Sequence, residues 1–421
     1  MHTPSRPMGL PTAGPDQPQG LISDNSPPGG THIGSGFAAP SRQPTSVHSF
    51  PVQFTGSGSE YFRIWIVNLL LMLVTLGLYY PWAKVRKLRY FYGHTEVAGH
   101  PLDFHGNPKQ MLRGFLLMAA LLFVYGLAGN VSDLAGGIAG LILAAVWPAL
   151  LRASLQFRLA QTSWRGLRFA FRGSLRDAYL VFAGPMAAIA AAGIILAVAL
   201  SGLGENQRPG GPQALALLLF VLVAVGVGPY LLWRLKAYQH NHYALGPWQT
   251  TFRATCGDVA KVFLSTAAVG FGSVVAFGAV VGLLAALIGG GGMAGMMAGL
   301  MMITPVVIIG MLIMQALYAA YFTAKMQNLV WTSTGNRQIR FKSHVPVWGL
   351  TKLMMKNTVL TGLTLGLYWP FAAVAMARLK LESVSVHTRQ HPDDLVVAAQ
   401  ARYQDAAGDM AADLLGIDVG L

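Results

Sequence analysis

Long apolar runs alternate along the chain with short loops that are rich in Lys and Arg. Six runs come close to or exceed the ~20 residues that an α-helix needs to cross a ~30 Å hydrocarbon core. They cover residues 111–130, 134–152, 178–202, 212–234, 262–288 and 297–323. A soluble domain of this size has no core large enough to hide them all. The pattern predicts an all-α polytopic membrane protein with six full spans.

Two further apolar segments, residues 61–83 and 353–377, share one nine-residue phrase. It is T-L-G-L-Y-Y-P-W-A at 75–83 and T-L-G-L-Y-W-P-F-A at 364–372. The same offset brings Asn68 onto Asn357 and Arg89 onto Arg378. A phrase repeated at a fixed offset indicates that the fold is built from internal repeats.

Each of these two segments has a Gly near its middle and a Pro soon after, and membrane helices can break at Gly and Pro. We therefore expect two re-entrant or interfacial helical elements in addition to the six spans. The alternative is eight full spans with both chain ends outside. That alternative places Arg378 and Lys380 on the side that carries few cations.

The positive charges are distributed unevenly between the two sets of loops. Loops 84–113, 152–176, 234–261 and 325–356 hold 22 Lys and Arg, whereas the connections on the other side hold only Arg208. Cationic loops are retained in the cytoplasm, so these four loops are expected there. The chain has 421 residues, is 53% hydrophobic and 11% charged, and carries a formal charge of +14. The placement of this charge favours the lipid bilayer as partner and argues against nucleic acid.

The cytoplasmic loops contain pairs of β-type runs. Leu329–Thr332 and Gln338–Phe341 flank a Gly335-Asn336 turn, and residues 162–171 follow the same pattern, which is typical of β-hairpins. We predict four short cytoplasmic hairpins. Residues 49–54 and 381–386 resemble the two strands of a fifth hairpin, which would require both ends of the membrane domain to face the cytoplasm.

The two ends of the chain differ from the membrane domain at residues 48–388. Residues 1–47 are rich in Pro, Gly and Ser and are expected to be disordered. Residues 389–421 form an acidic tail in which Pro392 and two Asp could start a short helix. This helix could lie against a basic face, but a solvated tail is the favoured expectation.

Two groups of residues are candidates for function. No carboxylate lies inside the six spans, which lowers the odds of an ion-coupled pump more than those of a passive pore. The first group could line a path for a solute, or it could have only a structural role, in breaking the helices and in forming an interfacial aromatic belt. It comprises Asn68, Thr75, Gly77, Tyr79, Pro81, Trp82, Asn357, Thr364, Gly366, Tyr368 and Pro370. The second is a basic face for a protein partner or anionic lipid; it comprises Arg86, Arg89, Arg165, Arg168, Arg172 and Arg340.

Catalysis and metal binding find little support in the sequence. The histidines of the first and third basic loops lack Cys or acidic partners at a ligand spacing, so no metal and no cofactor are expected. No nucleotide-binding loop, zinc-protease helix or nucleophile elbow is present. We therefore expect that the protein is not an enzyme.

One stretch resembles a known family. The run from Phe54 to Trp65, continuing through Asn68, the first phrase and Arg89, is similar to the YjgN family of bacterial inner-membrane proteins. The resemblance extends over roughly residues 50–390. It implies a multi-pass protein of the bacterial inner membrane, and it implies no activity.

Three functional hypotheses follow from the sequence. The first is a passive channel or transporter for a small solute, motivated by the two broken elements. The second is a membrane scaffold that binds a protein or anionic lipid through its basic hairpins, and a membrane enzyme comes last. The identity of the solute or partner and the oligomeric state remain open.

Overall fold

The computed structural model describes residues 47–201, 210–288 and 292–401. Apart from Val47, the predicted N-terminal tail lies outside these ranges, as do residues 402–421 of the predicted acidic tail. The described part contains the following helices: α1 (Gly58–Val74), α2 (Tyr80–Gly93), α3 (Pro108–Val131), α4 (Asp133–Ala160), α5 (Leu175–Leu200), α6 (Gly211–Asn241), α7 (Cys256–Ile288), α8 (Gly292–Thr332), α9 (Val347–Leu363), α10 (Trp369–Glu382) and α11 (392–401).

Six of the described helices, α3 to α8, are long and apolar enough to cross a membrane by length and composition. Five of them contain the predicted runs, and α5 covers the run 178–202 up to Leu200. Each long helix continues past its apolar part toward a basic loop. Local sequence fixes several helix starts: Ser57 and Ser174 accept hydrogen bonds from the backbone N–H groups of Glu60 and Asp177, the usual role of an N-cap residue.

The two segments that carry the shared phrase each form a pair of short helices, α1–α2 and α9–α10. In the first pair the Thr75 hydroxyl donates to the Leu71 carbonyl at 2.7 Å and accepts from the Tyr79 N–H at 3.0 Å. Leu76 and Gly77 have φ of +49° and +88°, and this left-handed backbone reverses the chain. Glycine suits the second position because it adopts positive φ without steric cost.

The second pair repeats this turn. The Thr364 hydroxyl donates to the Leu360 carbonyl at 2.7 Å and accepts from the Tyr368 N–H at 2.9 Å. Leu365 and Gly366 have φ of +50° and +93°. The duplicated phrase therefore encodes one specific helix reversal, used twice.

The β-strands form one continuous sheet rather than isolated hairpins, so the prediction of an all-α fold with separate hairpins is incomplete. The strands are β1 (His48–Phe54), β2 (Thr95–Val97), β3 (His100–Phe104), β4 (Thr162–Trp164), β5 (Leu167–Phe171), β6 (Tyr243–Leu245), β7 (Trp248–Gln249), β8 (Thr251–Phe252), β9 (Thr334–Gly335), β10 (Ile339–Ser343) and β11 (Val384–Thr388). Their order is β7-β6-β5-β4-β3-β2-β1-β11-β10-β9-β8.

The two ends of this order meet, which closes the sheet into a ring. Strands β7 and β8 are separated along the chain by Thr250 alone, whose N–H donates to the Tyr243 carbonyl at 2.8 Å. The predicted fifth hairpin is confirmed: β1 pairs with β11 antiparallel, with His48 opposite Thr388. Both ends of the membrane domain thus lie on the same side of the helices.

Two strand predictions are wrong in detail. Leu329–Thr332 belong to the last turn of α8, and Leu381 and Glu382 belong to α10. Val330 is 4% exposed in a cluster with Val259 and Met326. Packing of one helix face against α7 therefore overrides the β preference of this β-branched and aromatic run.

The helices α1 to α10 also follow one another in a ring. In the described part of the chain, substantial helix–helix contacts run between chain neighbours, from α1–α2 through α9–α10, and α10 returns to α1. Each even-numbered helix of the ring donates a side-chain hydrogen bond to a backbone carbonyl that lies two residues before the start of the next helix in the ring. These bonds are Arg89 to Gly106 (3.3 Å), Arg152 to Gly173 (2.8 Å), Trp233 to Ala254 (2.9 Å), Asn328 to Val345 (3.2 Å) and Arg378 to Gly56 (2.8 Å).

Helix α11 packs on the apolar face of the sheet. Leu395 is 3% exposed and joins a cluster with residues of β1, β10 and β11. Val396 and Ala399 join a second cluster with Trp164 and Leu167 of β4 and β5. The expectation of a solvated tail is therefore wrong for residues 392–401. The apolar face of this helix packs on two groups of strands, β1, β10 and β11 in one part of the ring and β4 and β5 in another.

Candidate functional site

The residues of the duplicated phrase occupy the turns of the two short helix pairs, at the ends of α1 and α9 that point away from the sheet. Leu76 and Leu365, at the two turns, are each 94% exposed. Next to the turns, Tyr79 stacks on Trp82 with ring centroids 5.9 Å apart, and Tyr368 stacks on Phe371 at 5.5 Å. Each turn thus combines an exposed apolar tip with a stacked aromatic pair behind it.

Pro81 and Pro370 lie in the first turns of the returning helices α2 and α10 and are almost fully buried. Proline fits the first turn of a helix because its missing N–H would have no partner there. These prolines, with Thr75, Gly77, Thr364 and Gly366, account for the shape of the turn. Their structural role is therefore explained by hydrogen bonding and backbone geometry.

Asn68 and Asn357 each hydrogen-bond within their own helix pair. The Asn68 side-chain oxygen accepts from Arg86 at 3.4 Å, within the first helix pair. Asn357 donates to the Ala372 carbonyl at 3.4 Å, within the second pair. Its own side-chain oxygen is buried without a hydrogen-bond partner in the described part of the chain.

A cleft of about 610 Å³ runs along the second helix pair beside Asn357. Its wall is mostly apolar; it includes Met354, Leu365, Trp369 and Met376, with Thr358 and Thr361 among the polar members. Lys87 of α2 lies over the Trp369 ring, 4.9 Å from its centroid. This contact ties the two helix pairs together.

A second cleft, of about 440 Å³, lies between α1 and α2. It is lined by Arg63, Arg86 and Arg89 together with Ile64, Val67 and Tyr90. The sequence pointed to Arg86 and Arg89 but missed Arg63. Arg63 and Val67 are four residues apart and so share one face of α1, and α2 runs back beside α1. These two facts could have identified Arg63 as a cleft residue.

The six predicted basic-face residues separate into two groups. Arg86 and Arg89 line the cleft on α2, and the other four lie on the sheet. Arg165 forms an ion pair with Asp393 of α11, while Arg172 donates to the Gly246 carbonyl at 3.0 Å. Arg168 and Arg340 are exposed at alternate positions of β5 and β10. The predicted face is therefore not one continuous surface patch.

The histidines of the basic loops have separate partners. His105 lies 2.8 Å from the Ser163 hydroxyl, and His240 lies 2.9 Å from the Thr334 hydroxyl. Within residues 47–201, 210–288 and 292–401, no group of three or more His, Cys, Asp or Glu side chains is placed to hold a metal ion. These imidazoles serve as hydrogen-bonding groups between neighbouring strands and helices.

Comparison with known proteins places the chain in a family. The family described as "Bacterial protein of unknown function (DUF898)" matches residues 49–414, which include all ten helices of the ring and all of the sheet except His48. The chain belongs to the DUF898 family. No solved structure matches the chain.

Several relatives of this DUF898 protein are named "Inner membrane protein YjgN". The protein from Salmonella typhimurium is 27% identical over 361 residues, which cover 78% of this chain and 86% of the relative. Those from Escherichia coli O157:H7 and Escherichia coli K12 are 28% and 29% identical over 185 and 188 residues, about 43% of this chain. The resemblance inferred from the sequence is confirmed. With six apolar helices, the DUF898 protein is a multi-pass membrane protein whose relatives reside in the inner membrane.

Proposed function

We propose that this protein is a passive transporter whose solute is an amphiphile that enters from the lipid phase. The observation that carries the proposal is the closed cycle of helix contacts, in which each helix touches its two neighbours. In this proposal the sheet and its basic loops face the cytoplasm, and the shared element order of the five helix pairs reflects internal repeats.

With generic spacings, the proposed ring of helices is wider than the ring of strands. Ten strand positions at ~4.8 Å give a perimeter of about 48 Å. Ten helices at an interaxial distance of ~9 Å need about 90 Å, or about 29 Å across, which leaves roughly 19 Å inside once the width of a helix is removed. Few residues of the six candidate spans are buried, between 0% and 17% of each apolar window. Most side chains of these helices are thus not buried inside the protein, which is compatible with an open interior.

The wall of the helix ring has unequal height. From Arg63 to the end of α1 at Val74 the chain rises about 16 Å, roughly half of a ~30 Å hydrocarbon core. Helices α3 to α8 have 24 or more residues, enough to cross it. The two short pairs are neighbours in the ring, since α10 contacts α1. On that side the interior is open to the leaflet far from the sheet.

The chemistry of the wall and the opening favours an amphiphile over a polar solute. The six spans have mean hydropathies of 2.0 to 2.6, so the interior offers few polar groups. A wall open to lipid cannot hold a continuous water column. At the other end, α11 covers the apolar face of the sheet. These features support exchange with lipid and a closed cytoplasmic end.

Reconstitution in liposomes tests the proposal. A fluorescent phospholipid analogue in both leaflets is exposed to dithionite, which reduces only the outer leaflet, and a small polar dye is enclosed in the same liposomes. We expect reduction to proceed beyond the outer-leaflet share only when the protein is present, with the dye retained. Release of the dye would indicate an aqueous pore instead, and the absence of both effects would contradict passive transport. Protein-free liposomes are the control.

A scaffold role is the second candidate, favoured by the exposed Arg168 and Arg340 of β5 and β10. Replacing both by Gln should then abolish co-purification of a partner protein, while Arg152→Gln, on a membrane helix, should not. The expectation that the protein is not an enzyme remains a prediction.

A further inference from the structure

We infer that the cleft between α1 and α2 binds the phosphate group of an anionic lipid, with its acyl chain lying along α1. This inference deepens the proposed function by naming a ligand class. It rests on that proposal only for what happens to the lipid afterwards.

The first argument is charge. Three guanidinium groups, those of Arg63, Arg86 and Arg89, line a cleft of about 440 Å³. None of the three forms an ion pair with a carboxylate in the described part of the chain. Like charges gathered without a counter-ion repel one another, and an anion in the cleft relieves this repulsion. Arginine presents a planar fork of donors that matches phosphate oxygens.

The second argument is the remaining donor capacity of these arginines. Arg86 donates one bond to Asn68 at 3.4 Å and lies 5.7 Å from the centre of the Tyr79 ring. Arg89 donates one bond to the Gly106 carbonyl at 3.3 Å. A guanidinium has five N–H donors, so both retain several for a ligand. Their protein contacts fix their orientation without using them up.

The third argument decides between a lipid and a free phosphate ion. Arg63, Val67, Leu70 and Val74 follow one another at helical spacing and therefore share one face of α1. The three apolar members are 46%, 56% and 82% exposed. The face thus begins with a cation near the sheet and continues as exposed hydrocarbon toward the turn. A phosphate joined to an acyl chain matches this order of groups, whereas free phosphate uses only the first part.

The second helix pair supplies an internal comparison. At the offset that aligns the duplicated phrases, Ala375 stands where Arg86 does, and Lys352 where Arg63 does. The Asn357 oxygen, which corresponds to the Asn68 oxygen bonded by Arg86, has no hydrogen-bond partner among the described residues. The same helix reversal thus stands beside an arginine-lined cleft in the pair α1–α2 and beside a mostly apolar cleft in the pair α9–α10. We assign anion binding to the first copy alone.

Native mass spectrometry of the full chain in a neutral detergent tests the inference. Phosphatidylglycerol is titrated against phosphatidylcholine, and glycerol phosphate is added as a soluble competitor. We expect preferential binding of phosphatidylglycerol. Arg63→Gln and Arg86→Gln should each weaken it about fivefold, the effect of removing one cation near a lipid headgroup. Arg337→Gln, an exposed arginine in the turn between β9 and β10, is the matched control and should leave binding unchanged.

Three results would overturn the inference: equal weakening in the control, equal affinity for phosphatidylcholine, or displacement of the lipid by glycerol phosphate at similar concentration. The last result would assign the cleft to a soluble phosphate. Arg86 also contacts Asn68, so the Arg86 variant could unfold. Arg63→Gln then keeps the test decisive, because no hydrogen bond of the described residues depends on the Arg63 side chain. The measurement involves no transport, so failure of the proposed transport leaves this result standing, and the reverse also holds.

Discussion

Replacing Leu395 by Ala should release helix α11 from the sheet without unfolding the protein. Leu395 is 3% exposed, and α11 is held mainly by this side chain together with Val396 and Ala399. A Leu→Ala change at a buried position costs about 2–5 kcal/mol. Burial of a complete Leu or Val side chain contributes about 1.5–3 kcal/mol, so the change removes roughly half of the apolar stabilisation of α11. The ratio of docked to undocked helix should fall by a factor of about 30 or more.

A nitroxide attached at Gln400, which is exposed, reports the motion of α11 by electron paramagnetic resonance. The single cysteine is first removed as Cys256→Ser, and Gln400→Cys then carries the label. We expect a mobile spectrum in Leu395→Ala and an immobile one in Val397→Ala, because Val397 lies on the same helix but is 64% exposed. An immobile label in Leu395→Ala, or equal mobility in both variants, would refute the assignment of Leu395 as the main anchor.

Three further outcomes follow from the structure. Arg165 holds the pKa of Asp393 below its usual value, so the ion pair favours docking of α11 above pH ~4 and is lost as the pH falls through the lowered pKa. The label at position 400 should therefore gain mobility below about pH 4, and Arg165→Gln should remove this pH dependence. Arg378→Gln deletes the 2.8 Å hydrogen bond that closes the helix ring, and it should lower the free energy of unfolding by about 1 kcal/mol because the bond is partly exposed. This loss is measured as a lower melting temperature in detergent. Glu382→Gln, which removes only the ion pair at 3.9 Å, should change the melting temperature little. Gly77→Ala should cost about 1 kcal/mol in the same assay, because φ is +88° and an added Cβ would meet no atom within 4 Å beyond its chain neighbours, so that backbone strain alone remains. An unchanged melting temperature would contradict the left-handed turn.

The sequence predicted the membrane helices because their signal is local. Each apolar run comes close to or exceeds the length that crosses the hydrocarbon core, and the cations at its ends limit where it can lie. The fifth hairpin could also be predicted, since β1 and β11 each show β-type residues with no partner nearby along the chain. Both predictions needed only pattern and length.

Closure of the sheet and docking of α11 could not be predicted in the same way. Pairs such as Phe104 with Thr162 and Phe171 with Tyr243 join strands that lie on either side of a complete helix pair, and a three-residue strand carries almost no pattern of its own. The acidic residues around Leu395 suggested a solvated tail, although three apolar residues on one helix face decide its placement. Arg63 was missed for a related reason: its charge acquires meaning only beside Arg86 and Arg89 on the returning helix.

The pairing of β1 with β11 also constrains the order of events during synthesis. Strand β1 is among the first structured parts to leave the ribosome, and its partner ends at Thr388, more than 300 residues later. At ~5–20 residues per second, translation of the intervening chain takes roughly 17–70 s. Throughout that interval one edge of β1 has backbone groups without a native partner, and such edges promote aggregation. Nascent chains stalled before residue 384 should therefore depend on a chaperone or on the insertion machinery to shield β1.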